Sequence, residues 1–376
     1  MERDFFMKSS HRTFGHRRTF RLAMVVWSLV LVCSTSALSA TDARSKIGVL
    51  IDDARHQSNR WQQDVRFMSE WAQQRQATLM VRDGQGSQEL QLAQAKELLK
   101  SGAQVLILNA HDAKNAAAIV TAASQAGVPT ICYDRMVLNS KPALYISFDS
   151  LKVGQMQAQY LLSRAPRGNY IVLEGSPSDH NAQLLREGHM KVLEPAIKRG
   201  DIKILLDSWV TDWSKSQAYA KVKAALVAHP DITAVVAAND DLAAGALQAL
   251  QEANTRQRVL ISGQDAELGA VVNIIKDQQA MTIYKPLRSL ARAAINSAIT
   301  LATKGTLKTT QTMNNGYGEI PSIVLEPILV DGNSIFSTVV YDGFLSRENL
   351  REKVSPEEWE AFQHRRALAS SEIHQK

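Results

Sequence analysis

Polar and aromatic side chains follow most of the short apolar runs in this sequence. The side chains in these positions include ten that we call the polar set: Arg60, Trp61, Asp134, Arg135, Asn181, Arg186, Trp213, Asn239, Asp265 and Lys285. Others, such as Asp52, Asn109 and His111, follow the same runs. Carboxylate, amide and cationic side chains together offer bidentate acceptors and forked donors, which suit adjacent hydroxyl groups that each donate and accept a hydrogen bond. An indole ring adds a flat apolar face on which the C–H side of a pyranose can lie. These residue types therefore predict a binding site for a neutral sugar.

Sequence motifs of catalysis, phosphate binding and metal binding are absent. The chain contains no GxSxG, HExxH, CxxC, GxGxxG or GxxxxGK[ST] pattern, and its histidines are scattered instead of forming i, i+4 pairs. Asp134 and Asp265 would supply the two carboxylates of a glycosidase. Cations beside them, such as Arg60, Arg135 and Lys285, would lower the carboxylate pKa values and so disfavour a general acid. We therefore expect a binding protein that is not an enzyme and needs no cofactor or metal.

Each of these residues also has a structural explanation, and the residue types alone leave both open. Asp134 or Asp265 alone could cap a helix, and Asp240 with Asp241 directly precedes the helical pattern LAAGALQAL. A single tryptophan packs in a core more often than against a ligand. Lys285 could be a solvated charge at a helix start. A shared site is favoured because so many of these side chains follow predicted strands.

The chain alternates short β-branched runs with longer amphipathic stretches, which indicates βαβ units. The first series of runs is IGVLI (47–51), TLMVR (78–82), VLIL (105–108) and VPTICY (128–133). The second series is YIVLE (170–174), IKILLD (202–207), AVVAA (234–238), VLIS (259–262) and MTIY (281–284). Two series predict an α/β protein with two parallel sheets. Ligands of such sheets bind outside the carboxyl ends of the strands, where the polar set falls.

The first 40 residues are typical of an export signal. A basic segment precedes an apolar core of about a dozen residues (22–33), and small residues follow it in STSALSA. The core is shorter than the roughly 20 residues that a membrane-spanning helix needs. We predict cleavage after Ser39 or Ala40 and a periplasmic location. An uncleaved anchor and the twin-arginine export route remain as alternatives.

Charge and cysteine content argue against a nucleic-acid-binding protein and against a protein stabilised by disulfides. The net charge is +6, but residues 1–40 carry +4 of it, so the remaining chain offers no basic face for nucleic acid. Cys33 leaves with the predicted signal, which leaves Cys132 without a disulfide partner in the mature chain. Hydrophobic cores must therefore stabilise the protein. Its 376 residues, 45% of them hydrophobic, are enough for about two or three domains.

Eight segments, taken in order along the chain, carry a resemblance to a known family. They are IDDARHQSNRWQQD, YDRM, YISFDSLKVG, GSPSDHNAQLLREGHMKVL, SWVTDW, AANDDLAAGALQAL, SGQDAEL and MTIYKP. They resemble periplasmic sugar-binding proteins of ABC importers and, within that class, the members that bind D-xylose. The resemblance implies a type I periplasmic binding fold, in which two doubly wound parallel-sheet lobes joined by a three-strand hinge enclose the sugar. Motif by motif, it implies that the ten residues of the polar set bind that sugar.

The resemblance also implies partners. We expect a monomer that binds a monosaccharide, D-xylose, and delivers it to an ABC permease in the inner membrane, without contact with nucleic acid. A sensory role, in which the closed form engages a chemoreceptor or a sensor kinase, remains an alternative. So does a broader specificity for glucose, galactose or arabinose.

Domain boundaries are predicted from the same pattern. The first lobe takes residues 46–149 plus about 286–315, and the second takes 150–285 plus about 316–350. Residues 1–40 form the signal peptide. The charged tail at 351–376 is expected to lie outside the fold, as a frayed helix or disordered chain.

Overall fold

A computed structural model describes residues 44–52, 60–255 and 257–373, with side chains as far as Leu368. The predicted signal peptide at 1–40 lies outside these residues. Among the described residues, no helix is long and apolar enough to cross a bilayer.

The first lobe starts with three βα units followed by two further strands. Its elements are β1 (Lys46–Ile51), α1 (Arg60–Gln74), β2 (Thr78–Asp83), α2 (Gln88–Lys100), β3 (Val105–Leu108), α3 (Ala117–Gln125), β4 (Thr130–Tyr133) and β5 (Leu144–Phe148). The five strands pair in parallel in the order β5-β4-β3-β1-β2. The buried faces of the strands, with α1 on one side and α2 and α3 on the other, form two hydrophobic clusters.

The second lobe repeats the alternation of strand and helix. Its elements are α4 (Ser150–Arg164), β6 (Gly168–Glu174), α5 (His180–Lys198), β7 (Ile202–Trp209), α6 (Lys215–Ala228), β8 (Ile232–Ala237), α7 (Asp240–Glu252), β9 (Leu260–Ile261), α8 (Leu268–Ile275) and β10 (Thr282–Tyr284). Strands β7-β6-β8-β9 form a parallel sheet in that order. Residues 170–173 of β6 are completely buried, which is typical of a parallel strand covered by helices on both faces.

The last part of the chain returns to both lobes. Its elements are α9 (Leu287–Ala302), β11 (Gln311–Asn314), β12 (Glu319–Leu325), β13 (Ile328–Val330), α10 (Arg347–Glu352) and α11 (Pro356–Ile373). Helix α9 packs into the core of the first lobe, and β12 extends the first sheet beside β5. Strand β13 then pairs with β10. The chain therefore crosses between the lobes after β5, after β10 and after β12, as the predicted three-strand hinge requires.

The structure differs from the predicted division of the last 60 residues. Residues 319–325 lie in the first sheet, whereas the prediction gave everything after about 315 to the second lobe. Strand β10, predicted as part of the second parallel sheet, forms a separate antiparallel pair with β13. A π-helical turn, Phe336–Val340, follows β13. Sequence order alone does not specify which sheet is joined by a strand near the C-terminus.

The C-terminal tail is also part of the fold, contrary to the prediction. Helix α11 buries Trp359, 6% exposed, and Phe362, 1% exposed, against a cluster that includes α8. The guanidinium of Arg365 donates to the carbonyl oxygen of Ile275 at the end of α8. Two aromatic side chains three residues apart lie on one face of a helix, which is enough apolar area to dock an otherwise charged segment.

Candidate functional site

A single cleft between the lobes collects nine of the ten residues of the polar set. The first lobe supplies side chains from the start of α1 and from the turn after β4. The second lobe supplies side chains from α5, from the turn after β7, and from the segments that follow β8, β9 and β10. The nine residues are Arg60, Trp61, Asp134, Arg135, Asn181, Trp213, Asn239, Asp265 and Lys285. Their position at the carboxyl ends of the strands is the one predicted from the parallel sheets.

Arg60 is held by a different carboxylate at each of its three guanidinium nitrogens. Nη2 pairs with Asp134, Nη1 lies 3.2 Å from Asp265, and Nε lies 3.5 Å from Asp64. The guanidinium also lies over the ring of Trp61, at 4.7 Å from its centroid. The hydrogen bonds of Nη1 to Asp265 and of Nη2 to Asp134 fix a planar, forked donor at the wall of the cleft.

The charge of Asp134 is stabilised by this arrangement. Burial alone would raise the pKa of Asp134, but the charges of Arg60 and Lys285 outweigh burial and lower it. Lys285 places its Nζ 2.9 Å from the carboxylate of Asp265, which Arg60 also contacts. The cleft thus presents ionised acceptors and fixed cationic donors side by side.

A second ion-pair chain runs through Arg135. Its guanidinium lies 2.7 Å from Asp52 of the first lobe and 3.0 Å from Asp179 of the second. His111 lies 2.7 Å from the other carboxylate oxygen of Asp52. Burial opposes the ionisation of Asp52, but Arg135 and His111 together hold its pKa below the ordinary value. Arg135, like Arg60, therefore connects the two lobes through a charged contact.

Trp213 lies with its ring against the backbone of Gly175, at the end of β6. A Cβ atom at position 175 would come within 2.2 Å of that ring, so only glycine leaves room for it. The indole is 9% exposed, lines the cleft and also belongs to the core cluster of the second lobe. Both explanations considered for this tryptophan, ligand platform and core side chain, therefore fit its position.

Three residues of the site have left-handed backbone conformations, which are costly for residues other than glycine. The φ angles are 63° at Asp134, 99° at Asp265 and 54° at Trp213. Such conformations cost about 1–3 kcal/mol each and cluster at functional sites, because the surrounding fold must hold them. Asp134 turns the chain directly after β4 and Asp265 turns it four residues after β9, and both carboxylates line the cleft.

The aspartates that the sequence offered as helix caps do not cap α7 or α8. Asn239, not Asp240 or Asp241, is the N-cap of α7, because its side-chain oxygen accepts from the amide of Leu242 at 3.0 Å. Asp240 is buried and accepts from the hydroxyl of Thr282. The helix after Asp265 has Glu267 at its N-cap position, so capping does not explain Asp265.

Asn181 serves as a contact between the lobes. Its side-chain nitrogen donates to the backbone oxygen of Asp134 at 2.9 Å. The hydroxyl of Tyr145, in the first lobe, donates to the side-chain oxygen of Asn181 at 3.4 Å.

Arg186 is the one predicted residue that the structure does not bring into the cleft. Its side chain is 37% exposed and pairs with Asp207 at 2.6 Å. Arg186 is five positions after Asn181 on α5, which is about 140° around the helix, so the two side chains leave the helix on different sides. Leu185, only about 40° from Asn181, lines the cleft instead.

Several residues of the cleft were not in the predicted set. They are Ser150, Asp179, Leu185, Asp241 and Gln264. Asp179 and Gln264 each neighbour a predicted residue in a segment that follows a strand, so the rule that found the others also points to them. Asp241 had been assigned to a helix cap, and burial raises its pKa to about 6. Among the described residues, no group of three His, Cys, Asp or Glu side chains is placed to hold a metal.

Comparison with known proteins places this geometry in a family. The periplasmic binding protein domain model matches residues 48–306. The chain is 38% identical to the D-xylose-binding periplasmic protein of Escherichia coli, over 86% of this chain and 98% of that protein. It is 36% identical to the D-xylose-binding periplasmic protein of Haemophilus influenzae, over 88% of this chain and 99% of that protein.

Solved structures agree with these relatives. A carbohydrate transporter solute-binding protein from Chloroflexus aurantiacus, crystallised in complex with D-glucose, superposes with a TM-score of 0.76. It is 30% identical, and the match covers 81% of this chain and 98% of that one. The predicted type I fold is therefore confirmed, and the chain belongs to the periplasmic binding protein family.

Proposed function

We propose that this protein is the substrate-binding component of an ABC sugar importer and that it encloses one molecule of D-xylose between its lobes. The observation that carries the proposal is the cleft itself, where ionised acceptors, cationic donors and two indole rings face one another. Two D-xylose-binding periplasmic proteins, 36% and 38% identical to this chain over almost their whole lengths, support the choice of sugar. Nine residues of the predicted set are the proposed ligands.

The charged contacts between the lobes suggest how the sugar drives closure. Arg60 reaches Asp265 and Arg135 reaches Asp179 across the cleft. A sugar hydroxyl that donates to one of these carboxylates and accepts from one of these cations joins both lobes through a single group. The ligand shifts the equilibrium toward the closed form because it gains these contacts only there.

Binding without chemical change is part of the proposal. The pKa of Asp134 is lowered, which keeps it an ionised acceptor, not a general acid. The pKa of Asp241 is raised to about 6, so the argument from charge that disfavoured a glycosidase does not extend to this residue. Product analysis after incubation with sugar therefore belongs in the test.

The proposed partners follow from the family. A permease that recognises the closed form is the expected receptor, the protein is expected to act as a monomer, and residues 1–40 are expected to direct export to the periplasm. A chemoreceptor or sensor kinase that recognises the same closed form is the alternative receptor.

Titration calorimetry on protein without residues 1–40 tests the proposal. D-xylose should bind at one site and more tightly than D-glucose, D-ribose or L-arabinose, and it should be recovered unchanged. Solution scattering should show a smaller radius of gyration with sugar. The absence of heat with every aldopentose and aldohexose would refute the proposal, and conversion of the sugar would refute its non-enzymatic part.

A further inference from the structure

A second cavity of about 200 Å³ lies directly behind the sugar cleft, on the side of the hinge. We name it the hinge cavity. It shares Arg60, Asp265 and Lys285 with the sugar cleft, so these three side chains form the wall between the two spaces. Lys285 lies where the chain leaves β10 and crosses to α9, which places the cavity beside a hinge segment.

The remainder of the hinge cavity is mostly apolar. Leu268, Leu287, Phe344 and Leu345 line it, with Gln63 and Glu267 as the two polar side chains outside the shared wall. Leu287 belongs to the core of the first lobe, and the ring of Phe344 packs against Tyr284 with centroids 4.9 Å apart. Apolar walls of this kind would gain nothing from the hydroxyl groups of a sugar, but they favour a hydrocarbon group.

The size of the hinge cavity fits an aromatic ring. A cavity of ~150 Å³ lined by Leu, Ile and Phe side chains, engineered in another protein, binds benzene. The hinge cavity is larger, and four of its lining side chains are likewise Leu or Phe. Its polar side chains are Arg60, Asp265 and Lys285 on the shared wall, and Gln63 and Glu267 outside that wall. A ligand that fills both spaces therefore needs a sugar at one end and an apolar group at the other.

The chemistry of the shared wall allows the two ends to be joined. Arg60 and Lys285 are donors, and Asp265, 3.2 Å and 2.9 Å from them, is the acceptor between them. An ether oxygen that replaces a sugar hydroxyl here loses its hydrogen bond to the carboxylate but still accepts from either cation. The contact between Arg60 and Asp265 then opens to let the substituent pass.

From this arrangement we infer that the hinge cavity is a subsite for the apolar aglycone of a glycoside whose sugar occupies the cleft. The inference rests on the proposed sugar-binding function. It extends the ligand class from free monosaccharides to glycosides with an aryl or short alkyl group.

Calorimetry with D-xylose, both anomers of phenyl D-xyloside and xylobiose tests the inference. One phenyl xyloside anomer should bind, and more tightly than xylobiose. Phe344→Ala removes an apolar wall, and Gly269→Leu adds a side chain at a cavity-lining position where a Cβ meets no atom within 4 Å. Each variant should weaken phenyl xyloside at least fivefold and leave D-xylose within twofold. Phe336→Ala, in the same C-terminal segment but outside the cavity lining, should change neither affinity.

The outcomes separate this inference from the proposed function. Failure of D-xylose to bind would refute the choice of D-xylose in the proposed function. Normal binding of D-xylose together with no binding of either phenyl xyloside would overturn only the subsite. Tighter binding of xylobiose than of phenyl xyloside would show that the cavity takes a second sugar and would also overturn it. So would a phenyl xyloside affinity that Phe344→Ala and Gly269→Leu leave unchanged.

Discussion

The second lobe contains a buried polar cluster whose hydrogen-bond partners all lie in that lobe, whereas the cleft residues contact partners in both lobes. His189 lies 3.2 Å from Glu174 through Nδ1 and 2.8 Å from the side-chain oxygen of Gln157 through Nε2. The amide nitrogen of Gln157 lies within hydrogen-bond distance of three backbone carbonyl oxygens, those of Ala237, Ala238 and Gly263. We call His189, Glu174 and Gln157 the core cluster. The hydrogen-bond partners given above all belong to the second lobe, so the core cluster can stay intact whether the cleft is open or closed.

The cleft network is also largely buried, but it does not close within one lobe. Arg60 of the first lobe contacts Asp265 of the second, and Arg135 contacts Asp179 in the same way. Opening the cleft breaks these contacts, and hydroxyl groups of a ligand can replace them. Burial of a charged side chain therefore does not by itself identify a binding residue. A charged contact that joins the two lobes across the cleft is the better indicator.

Removal of His189 should separate stability from binding most strongly. His189→Ala leaves the carboxylate of Glu174 buried without its imidazole partner, which should lower the free energy of unfolding by about 3 to 5 kcal/mol. The affinity for D-xylose should stay within twofold, because no residue of the core cluster lines the cleft. Urea denaturation and calorimetry on the same samples measure both quantities. His364→Ala, at an exposed position of α11, is the control and should cost less than about 0.5 kcal/mol.

Asp265 should show the opposite behaviour. Asp265→Ala removes a charged acceptor from a closed cleft and should weaken sugar binding by about 2 to 4 kcal/mol, or roughly 30- to 700-fold. The free energy of unfolding should fall by less than in His189→Ala, because Arg60 and Lys285, the two partners of Asp265, line the cleft and can regain water when it opens. Asp207→Ala, which removes a carboxylate outside the cleft, is the matched control and should leave the affinity unchanged. Normal affinity in Asp265→Ala would remove this residue from the proposed site.

Asp64 joins the two kinds of network, since it is buried like the core cluster but lies 3.5 Å from the guanidinium of Arg60 in the cleft. Burial raises its pKa to about 7, although Arg60 and the hydroxyl of Tyr133 oppose the shift. Between about pH 4 and pH 7 the native protein therefore holds a proton that the unfolded chain has lost. The resulting stability is complete below about pH 4 and is lost as the pH rises through 7.

Asp64→Asn should abolish this pH dependence. In the wild type, the contribution of Asp64 to the free energy of unfolding falls by about 1.4 kcal/mol per pH unit where it changes most steeply. Urea midpoints of wild type and variant from pH 4 to pH 8 give the difference. Tyr133→Phe removes a hydrogen bond that favours the ionised carboxylate, so it should move the transition to higher pH. A wild-type pH dependence that survives in Asp64→Asn would assign the titration to another group.

The sequence was sufficient to predict which side chains share the cleft because the strands and their ends obey local rules. Asp134, Asn239 and Asp265 each follow a buried strand closely, and parallel pairing brings those ends to one edge. Residues 319–325 were misplaced, since the pairing of a returning strand depends on tertiary contacts that local pattern does not contain. The hinge cavity could not be predicted either, because it depends on Phe344 meeting Leu287 from a distant part of the chain.

Arg186 provides the smallest expected effect and a direct test of structure against sequence. The motif around it predicted a sugar ligand, whereas the structure places its guanidinium 2.6 Å from Asp207 on a partly exposed surface. Such a pair contributes about 0 to 1 kcal/mol, so Arg186→Ala should change stability by no more than that and sugar affinity by less than twofold. Asn181→Ala, on the cleft-facing side of the same helix, should weaken binding at least tenfold by loss of a polar contact in a closed site. A tenfold loss in Arg186→Ala would mean that the side chain leaves Asp207 when sugar binds, and that the motif identified its role correctly.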